Sequence, residues 1–199
     1  MRKGELTEAR ILHVAAAMAC EHGLANLHLQ PLATRVGMTK SGLYAHFGSK
    51  EALQMATVAA LAQRFLLTVV APSKQDAAGC ARLMGIMMRW LEWPMNAGLK
   101  GSCPLLAAAL APLGSEQAGA LPAHVRERLS RLFKEFRSVL LTMAASAVRL
   151  GELQDLEPNV CVHTLIALRF GHQLTGSFLQ DPVAEALTSA ACRHVLGMR

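Results

Sequence analysis

The stretch Gly37–Lys50, reading GMTKSGLYAHFGSK, decides how the start of this chain folds. Gly37 suits the left-handed residue that closes one short helix, and Thr39 suits the N-cap of the next. The first turn of that next helix then presents Lys40, Ser41 and Gly42. Leu43 and Phe47 stand at i and i+4 and form its anchoring stripe, while Tyr44 and His46 carry polar tips. Gly48 ends the helix, and Ser49 caps another that begins Lys50-Glu51-Ala52-Leu53. Short helix, glycine turn and second short helix with a polar outer face make a helix-turn-helix, whose second helix enters a DNA groove.

Working outward, Ile11, Ala15, Met18 and Ala19 follow helical spacing between Thr7, the expected N-cap, and about His22, with Gly23 just beyond. A second helix from about Gln30 to Val36 holds Pro31 in its first turn, where the missing N–H costs nothing. The helix that starts at Lys50 runs to about Val70, where Ala71-Pro72-Ser73 is expected to break it. Further helices are predicted at about Asp76–Trp93, Pro104–Ala111, Pro122–Leu150, Pro158–Leu179 and Val183–Leu196. Punctuation separates them: Pro94 to Pro104, Pro112 to Gly119, Gly151 to Glu157, and Asp181-Pro182. The expected fold is all-α, with about nine helices.

Composition agrees. The 199 residues are 52% hydrophobic but only 5% aromatic, rich in Ala, Leu and Met and without alternating β-branched runs. A net charge of +6 and a pI near 9.4 favour an anionic partner such as nucleic acid. The opening MRKGELTEAR has no apolar run behind a basic cluster, so no secretory signal is read and a cytoplasmic protein is expected. Uncharged stretches such as Ala52–Gln63 and Ser138–Val148 fall short of the roughly 18 residues a membrane span needs, so no membrane partner is expected. Cys20, Cys80, Cys103, Cys161 and Cys192 are scattered, odd in number and lack a CxxC pair, which argues against a disulfide framework and a zinc site. No metal and no cofactor are expected. GxSxG, HExxH and phosphate-loop patterns are missing, and Cys161-x-His163 and Cys192-x-His194 place their groups off a common helical face, so an enzyme is not expected.

Taken with the preceding LHLQPLATRV, residues 7–53 resemble the tetracycline-repressor (TetR) family of one-component bacterial transcription regulators. The pieces are Gly23, Leu32-Ala33, Gly37, Leu43-Tyr44-Ala45-His46-Phe47 and Lys50-Glu51-Ala52-Leu53, all in register. The resemblance implies a helix-turn-helix DNA-binding domain at 1–50 and an effector-binding and dimerisation domain at 51–199. It also implies a recognition helix in the major groove of double-stranded DNA, contacting it through Thr39, Lys40, Ser41, Gly42, Tyr44, His46 and Lys50. Lys40 can donate to guanine O6 and N7, Ser41 can read a base edge or bond a phosphate, and Tyr44 and His46 can clamp the backbone. Lys50, with the Ser49 hydroxyl and the free amides of its helix, suits a phosphate. Plainer readings stand beside these: Tyr44 as packing, His46 as a structural hydrogen-bonder, Lys40 as a solvated lysine. Where the family usually has Ser or Thr this chain has His28 or Leu29, and Gly42 is smaller than many counterparts; both reduce side-chain contact with DNA.

The C-terminal part resembles the family in fold alone. Gly101-Ser102-Cys103-Pro104-Leu105-Leu106 looks like a Gly-Cys-Pro element of one subgroup. Cys103 near Lys100 has two readings, an oxidant-sensing thiol or a small buried residue packing the turn. Met84, Met87, Met88, Trp90, Trp93, Phe133, Phe136 and Met143, with Cys103, Arg169, His172 and Gln173, are candidates for an apolar effector pocket with a few polar anchors; ordinary core is the alternative for each soft or aromatic member. Ile166, Phe170, Leu174 and Phe178 on one of the last two helices, and Val183, Leu187, Ala191 and Val195 on the other, form long apolar faces. They suit packing within one subunit or, as the resemblance implies, a homodimer through a four-helix bundle over a palindromic operator. The function expected is a repressor, some relatives being activators, released from its operator by a small apolar or amphipathic ligand. Alternatives are a non-specific architectural DNA binder, which needs a wider basic surface than +6 supplies, and a cysteine-based redox-sensing regulator.

Overall fold

Apolar residues at helical spacing, with glycine and proline at the joints, give nine α-helices and no strand among the described residues. The structure, a computed structural model, describes residues 3–99, 103–109, 121–153 and 156–198. The helices are α1 (Lys3–His22), α2 (Leu29–Val36), α3 (Lys40–Phe47), α4 (Lys50–Phe65), α5 (Cys80–Asn96), α6 (Pro104–Ala109), α7 (Ala123–Arg149), α8 (Pro158–His172) and α9 (Ala184–Val195). Lys100, the Gly101-Ser102 part of the Gly-Cys-Pro element, the predicted end of the sixth helix at Leu110–Ala111, the Pro112–Gly119 break and Gln154–Asp155 lie outside the described residues.

Several boundaries depart from the sequence reading. α1 begins at Lys3, so Thr7, expected as its cap, lies inside it; once a turn has nucleated, propagation through residues without proline outweighs one capping preference. α4 is not broken at Ala71-Pro72-Ser73. It passes into a π-helical turn (Leu66–Val70) and a 3-10 turn (Ala71–Gln75), with Pro72 in the first turn of the latter, where no N–H is required of it. The helical run Lys50–Gln75 is 26 residues long and by length and composition suffices to cross a membrane, although its uncharged part Ala52–Gln63 is shorter than a span. Its buried positions Leu53, Gln54, Thr57, Val58, Leu61, Val69 and Ser73 recur at helical spacing and include polar residues, the pattern of a helix facing a protein core.

α5 starts at Cys80 rather than Asp76 because Gly79, at φ 88° and ψ −145°, turns the chain sharply. Glu152 caps the new end by accepting from the Cys80 N–H at 2.6 Å. Pro94, expected as a separator, lies inside the last turn of α5, and the Ala97 N–H closes that turn on the Trp93 carbonyl at 2.9 Å. α8 leads into a π-helical segment, Gln173–Phe178.

Two compact units emerge. The first comprises residues 1–64 and 98–132. Within it α1 packs on α2, on α6 and on a 3-10 turn at Leu24–Asn26, and α2 packs on α3. Ile11, Ala15, Leu24, Leu27, Leu32, Leu43 and Leu53 are buried there. The second comprises residues 65–97 and 133–199. Here α5 packs on α8, on α9 and on the two turns that follow α4, and α8 packs on α9. Arg89 ties these turns down: its Nε donates to the Val69 carbonyl at 3.3 Å and its guanidinium pairs with Asp76, whose carbonyl accepts from Arg82 at 2.9 Å.

None of the five cysteines is joined in a disulfide. Burial pushes Cys20 up to about 12, and Cys80 and Cys192 up to about 11, the charge of Glu152 adding to the effect at Cys80. Because these thiols ionise later in the fold than in the unfolded chain, the stability they contribute is whole below about pH 9 and is lost as pH rises towards their folded values. Thermal melts are expected to show a midpoint that falls from about pH 9 upward, with Cys192→Ala reducing the slope. Gly79→Ala places a methyl group against the Glu152 carboxylate in a backbone conformation that L residues avoid. It is expected to cost about 2–3 kcal/mol, roughly 5–10 °C in Tm, with helix content retained in circular dichroism.

Candidate nucleic-acid interface

The turn between α2 and α3 is built locally. Gly37 adopts φ 71° and ψ 34°, and the Met38 N–H reaches back to the Ala33 carbonyl at 2.9 Å while the Gly37 N–H meets Thr34 at 3.3 Å. This left-handed closure satisfies carbonyls that the end of α2 leaves open. Thr39 then caps α3: its Oγ1 accepts from the Gly42 N–H at 3.1 Å and lies 3.2 Å from Ser41 Oγ. A Cβ at position 42 would stand 3.1 Å from Thr39 Oγ1, so the glycine leaves the cap room to close. Ser49 caps α4 in the same way, accepting from the Ala52 N–H at 3.0 Å.

α3 is divided into a holding face and an open face. Leu43 and Phe47 are buried, whereas Thr39, Lys40, Ser41, Ala45 and His46 are exposed and Tyr44 is 55% exposed. Lys50 is half-buried at the start of α4. Every DNA-contacting candidate therefore sits on α3, at its cap or at the first residue of α4. His28 is the N-cap residue of α2 and makes no side-chain cap bond, so the departure from Ser or Thr read in the sequence leaves that end without a side-chain acceptor.

Three further contacts hold this unit and escaped the sequence reading. Arg10 of α1 donates to the Val36 carbonyl at the end of α2 at 2.9 Å. Glu21 and Arg35 form a bidentate pair at 2.5 and 2.8 Å between α1 and α2. Gln54 of α4 is buried and its Nε2 donates to the Leu24 carbonyl at 2.9 Å. Only Gln54 left a trace in the sequence, as a polar residue four positions before Val58 and seven before Leu61, on the apolar face of its helix.

The effector candidates divide between the units. Trp90 and Trp93 of α5 and Phe136 of α7 are buried and meet Phe65, a residue the sequence reading did not include. Phe65 stacks edge-on against Trp93 and Phe136 with centroids 5.2 and 5.0 Å apart, and Trp90 meets Phe136 likewise at 4.9 Å. The guanidinium of Arg169, 1% exposed, lies 5.6 Å over the Trp90 ring, and its Nη1 donates to Gln173 at 3.3 Å. Trp93 Nε1 is buried without a hydrogen-bond partner among the described residues. Met87 is buried; Met84, Met88, Phe133 and Met143 are half-buried. His172 lines a groove of about 270 Å³ between α8 and α9, beside Leu168, Leu187 and Thr188. Burial and then the Arg169 charge hold its imidazole below the ordinary histidine value. Cys103 belongs to the first unit, buried just before α6.

Thr39→Ala removes the α3 cap and is expected to lower stability by about 1 kcal/mol, whereas Thr39→Ser retains it; urea titrations with a common slope measure both.

The comparisons with known proteins bear on the family and the fold. The model of bacterial regulatory proteins of the tetR family matches residues 11–64, and that of the tetracyclin repressor-like C-terminal domain matches residues 79–192. A search of curated proteins gives no match. Among solved structures, a TetR transcriptional regulator from Chloroflexus aurantiacus is 21% identical with a TM-score of 0.81, covering 100% of this chain and 98% of its own. AibR in complex with isovaleryl coenzyme A and operator DNA is 20% identical, TM-score 0.74, covering 97% and 100%. FadR from Bacillus subtilis in complex with stearoyl-CoA is 14% identical, TM-score 0.72, covering 94% and 97%. At these identities the structures establish a common fold. With both halves matched by the family's own models, a capped helix-turn-helix in the first and an all-helical body in the second, the chain belongs to the TetR family of bacterial transcription regulators.

Proposed function

We propose that this regulator works as a two-fold dimer that represses from a palindromic operator and is released by a small apolar or amphipathic effector. The observation that carries the reading is α3 itself: apart from Gly42 and its two buried anchors, every residue on it is open to solvent. In this reading residues 1–50 bind DNA and residues 51–199 bind the effector and pair the subunits. Lys40 and Ser41 read base edges, Tyr44 and His46 clamp the backbone, and Lys50 meets a phosphate.

The second copy is supported by what α8 and α9 leave uncovered. Their packing within the chain buries Cys161, Val162 and Leu165 of α8 and Ala184, Thr188 and Cys192 of α9. Leu174, Phe178, Val183 and Leu187, members of the apolar faces read in the sequence, remain exposed, Phe178 by 77% and Leu187 by 61%. A twin of the same pair covers such a surface and sets two recognition helices about one DNA turn apart. The effector reading is supported by the aromatic cluster around Trp90 and its buried cation. The acyl-coenzyme A ligands of AibR and FadR, an acyl chain joined to a polar group, have the amphipathic character the cluster suits. A ligand that binds better to the conformation with splayed heads withdraws the dimer from DNA, with α4 as the lever.

Selection from random DNA is expected to enrich a palindrome, and the absence of one would leave an architectural binder as the better reading. On the enriched duplex, Lys40→Ala is expected to weaken binding by about 1–3 kcal/mol and to relax preference at one position of each half-site. Lys50→Ala is expected to weaken all duplexes alike and to reduce the salt slope by about 1. Sedimentation at micromolar concentration is expected to show a dimer that Phe178→Glu with Leu187→Glu converts to a monomer; a wild-type monomer would end the two-fold reading.

A further inference from the structure

Gln54 has an unusual set of partners for a buried amide. It is 1% exposed in the second turn of α4, and its Nε2 donates to the carbonyls of Leu24 at 2.9 Å and Ala25 at 3.4 Å. Its Oε1 is equally buried and has no hydrogen-bond partner among the described residues. Thr57, the neighbouring buried polar residue on this helix, bonds the Leu53 carbonyl of its own helix at 2.8 Å. Gln54 reaches another element, the 3-10 turn Leu24–Asn26 from which the chain enters α2.

An unmet buried acceptor offsets what the donor bonds contribute, so this amide is a poor stabilising device. What it supplies is direction. A hydrogen bond fixes distance and angle, whereas an apolar contact in the same place lets the two elements slide. Direction matters here because the start of α2 lacks a side-chain cap of its own, while its far end is held by Arg10 on the Val36 carbonyl. Gln54 thus holds the turn that leads into α2, and Arg10 holds the far end of that helix, which carries the Gly37 turn and α3.

We propose that Gln54 is a positioning residue for DNA binding, setting the angle at which α2 and α3 leave α4, so that operator affinity depends on it more than stability does. The proposal rests on the reading that α3 docks on DNA. Its test uses the full-length protein, the duplex enriched by the wild type and a scrambled duplex, with binding measured by fluorescence anisotropy and Tm measured in parallel. Gln54→Met keeps the volume and removes both donor and unmet acceptor. It is expected to leave Tm and scrambled-duplex affinity near wild type while weakening operator binding about tenfold. Gln54→Glu supplies a donor only while its carboxyl is protonated. Burial against two carbonyl oxygens raises that carboxyl's pKa, so its operator affinity, taken as a ratio to wild type at each pH, is expected to approach one at low pH and to fall as pH rises. Operator binding by Gln54→Met within about twofold of wild type, a Gln54→Glu ratio flat with pH, or losses that only track Tm would each overturn the proposal. Lys40→Ala separates the two readings: if it weakens operator binding and Gln54→Met does not, the positioning role alone fails; if neither does, the docking of α3 fails with it.

Discussion

The reversal at Gly37, where the Met38 N–H turns back onto the Ala33 carbonyl, is the constraint on which the reading end of this protein depends. A side chain there would meet no neighbour, so space is not the reason for glycine; the backbone angle of φ 71° is. From that one angle follow the exit of α3, the position of Thr39 as its cap and the separation of Leu43 and Phe47 from the exposed residues beside them. The same economy operates at the other end of α3, where Gly48 closes the helix and Ser49 at once caps α4.

Around this local device lies a set of clasps that serve position more than cohesion. Glu21–Arg35 is an exposed pair, and such pairs contribute little to stability in water. Arg10 bonds the Val36 carbonyl and Gln54 the carbonyls of Leu24 and Ala25, all of them backbone acceptors. Cohesion comes instead from the apolar residues beneath, Ile11, Leu32, Leu43 and Leu53 among them, none of which specifies an angle. In the second unit, edge-to-face rings around Phe65 and Trp90 combine both roles, since aromatic pairs have preferred geometry as well as large buried area.

α4 illustrates how an element's composition can mislead when it is read without its surroundings. The run Lys50–Gln75 is as apolar as a membrane span, yet it carries Gln54, Thr57 and Ser73 among its buried positions, each with a backbone carbonyl to bond. The π-helical turn that lengthens it as far as Val70 has no sequence signature. It is accommodated where Arg89 can donate to Val69 and pair with Asp76, partners that helix packing alone brings near.

The helix-turn-helix, its caps and the existence of the nine described helices were legible in the chain because they rest on interactions a few residues long: Thr39 to Gly42, Ser49 to Ala52, Gly37 to Ala33. The TetR assignment was legible for the same reason, since its motif is made of such local pieces at fixed spacing. Tertiary structure alone decided the rest. Arg10 meets Val36 across 26 positions and Gln54 meets Leu24 across 30, and no periodicity connects residues so far apart. It also placed Phe65 among Trp90, Trp93 and Phe136 while assigning Cys103 to the other unit. Helical spacing states which residues share a face; which face meets which is settled by the packing of whole helices, where burial and not adjacency sets the energy.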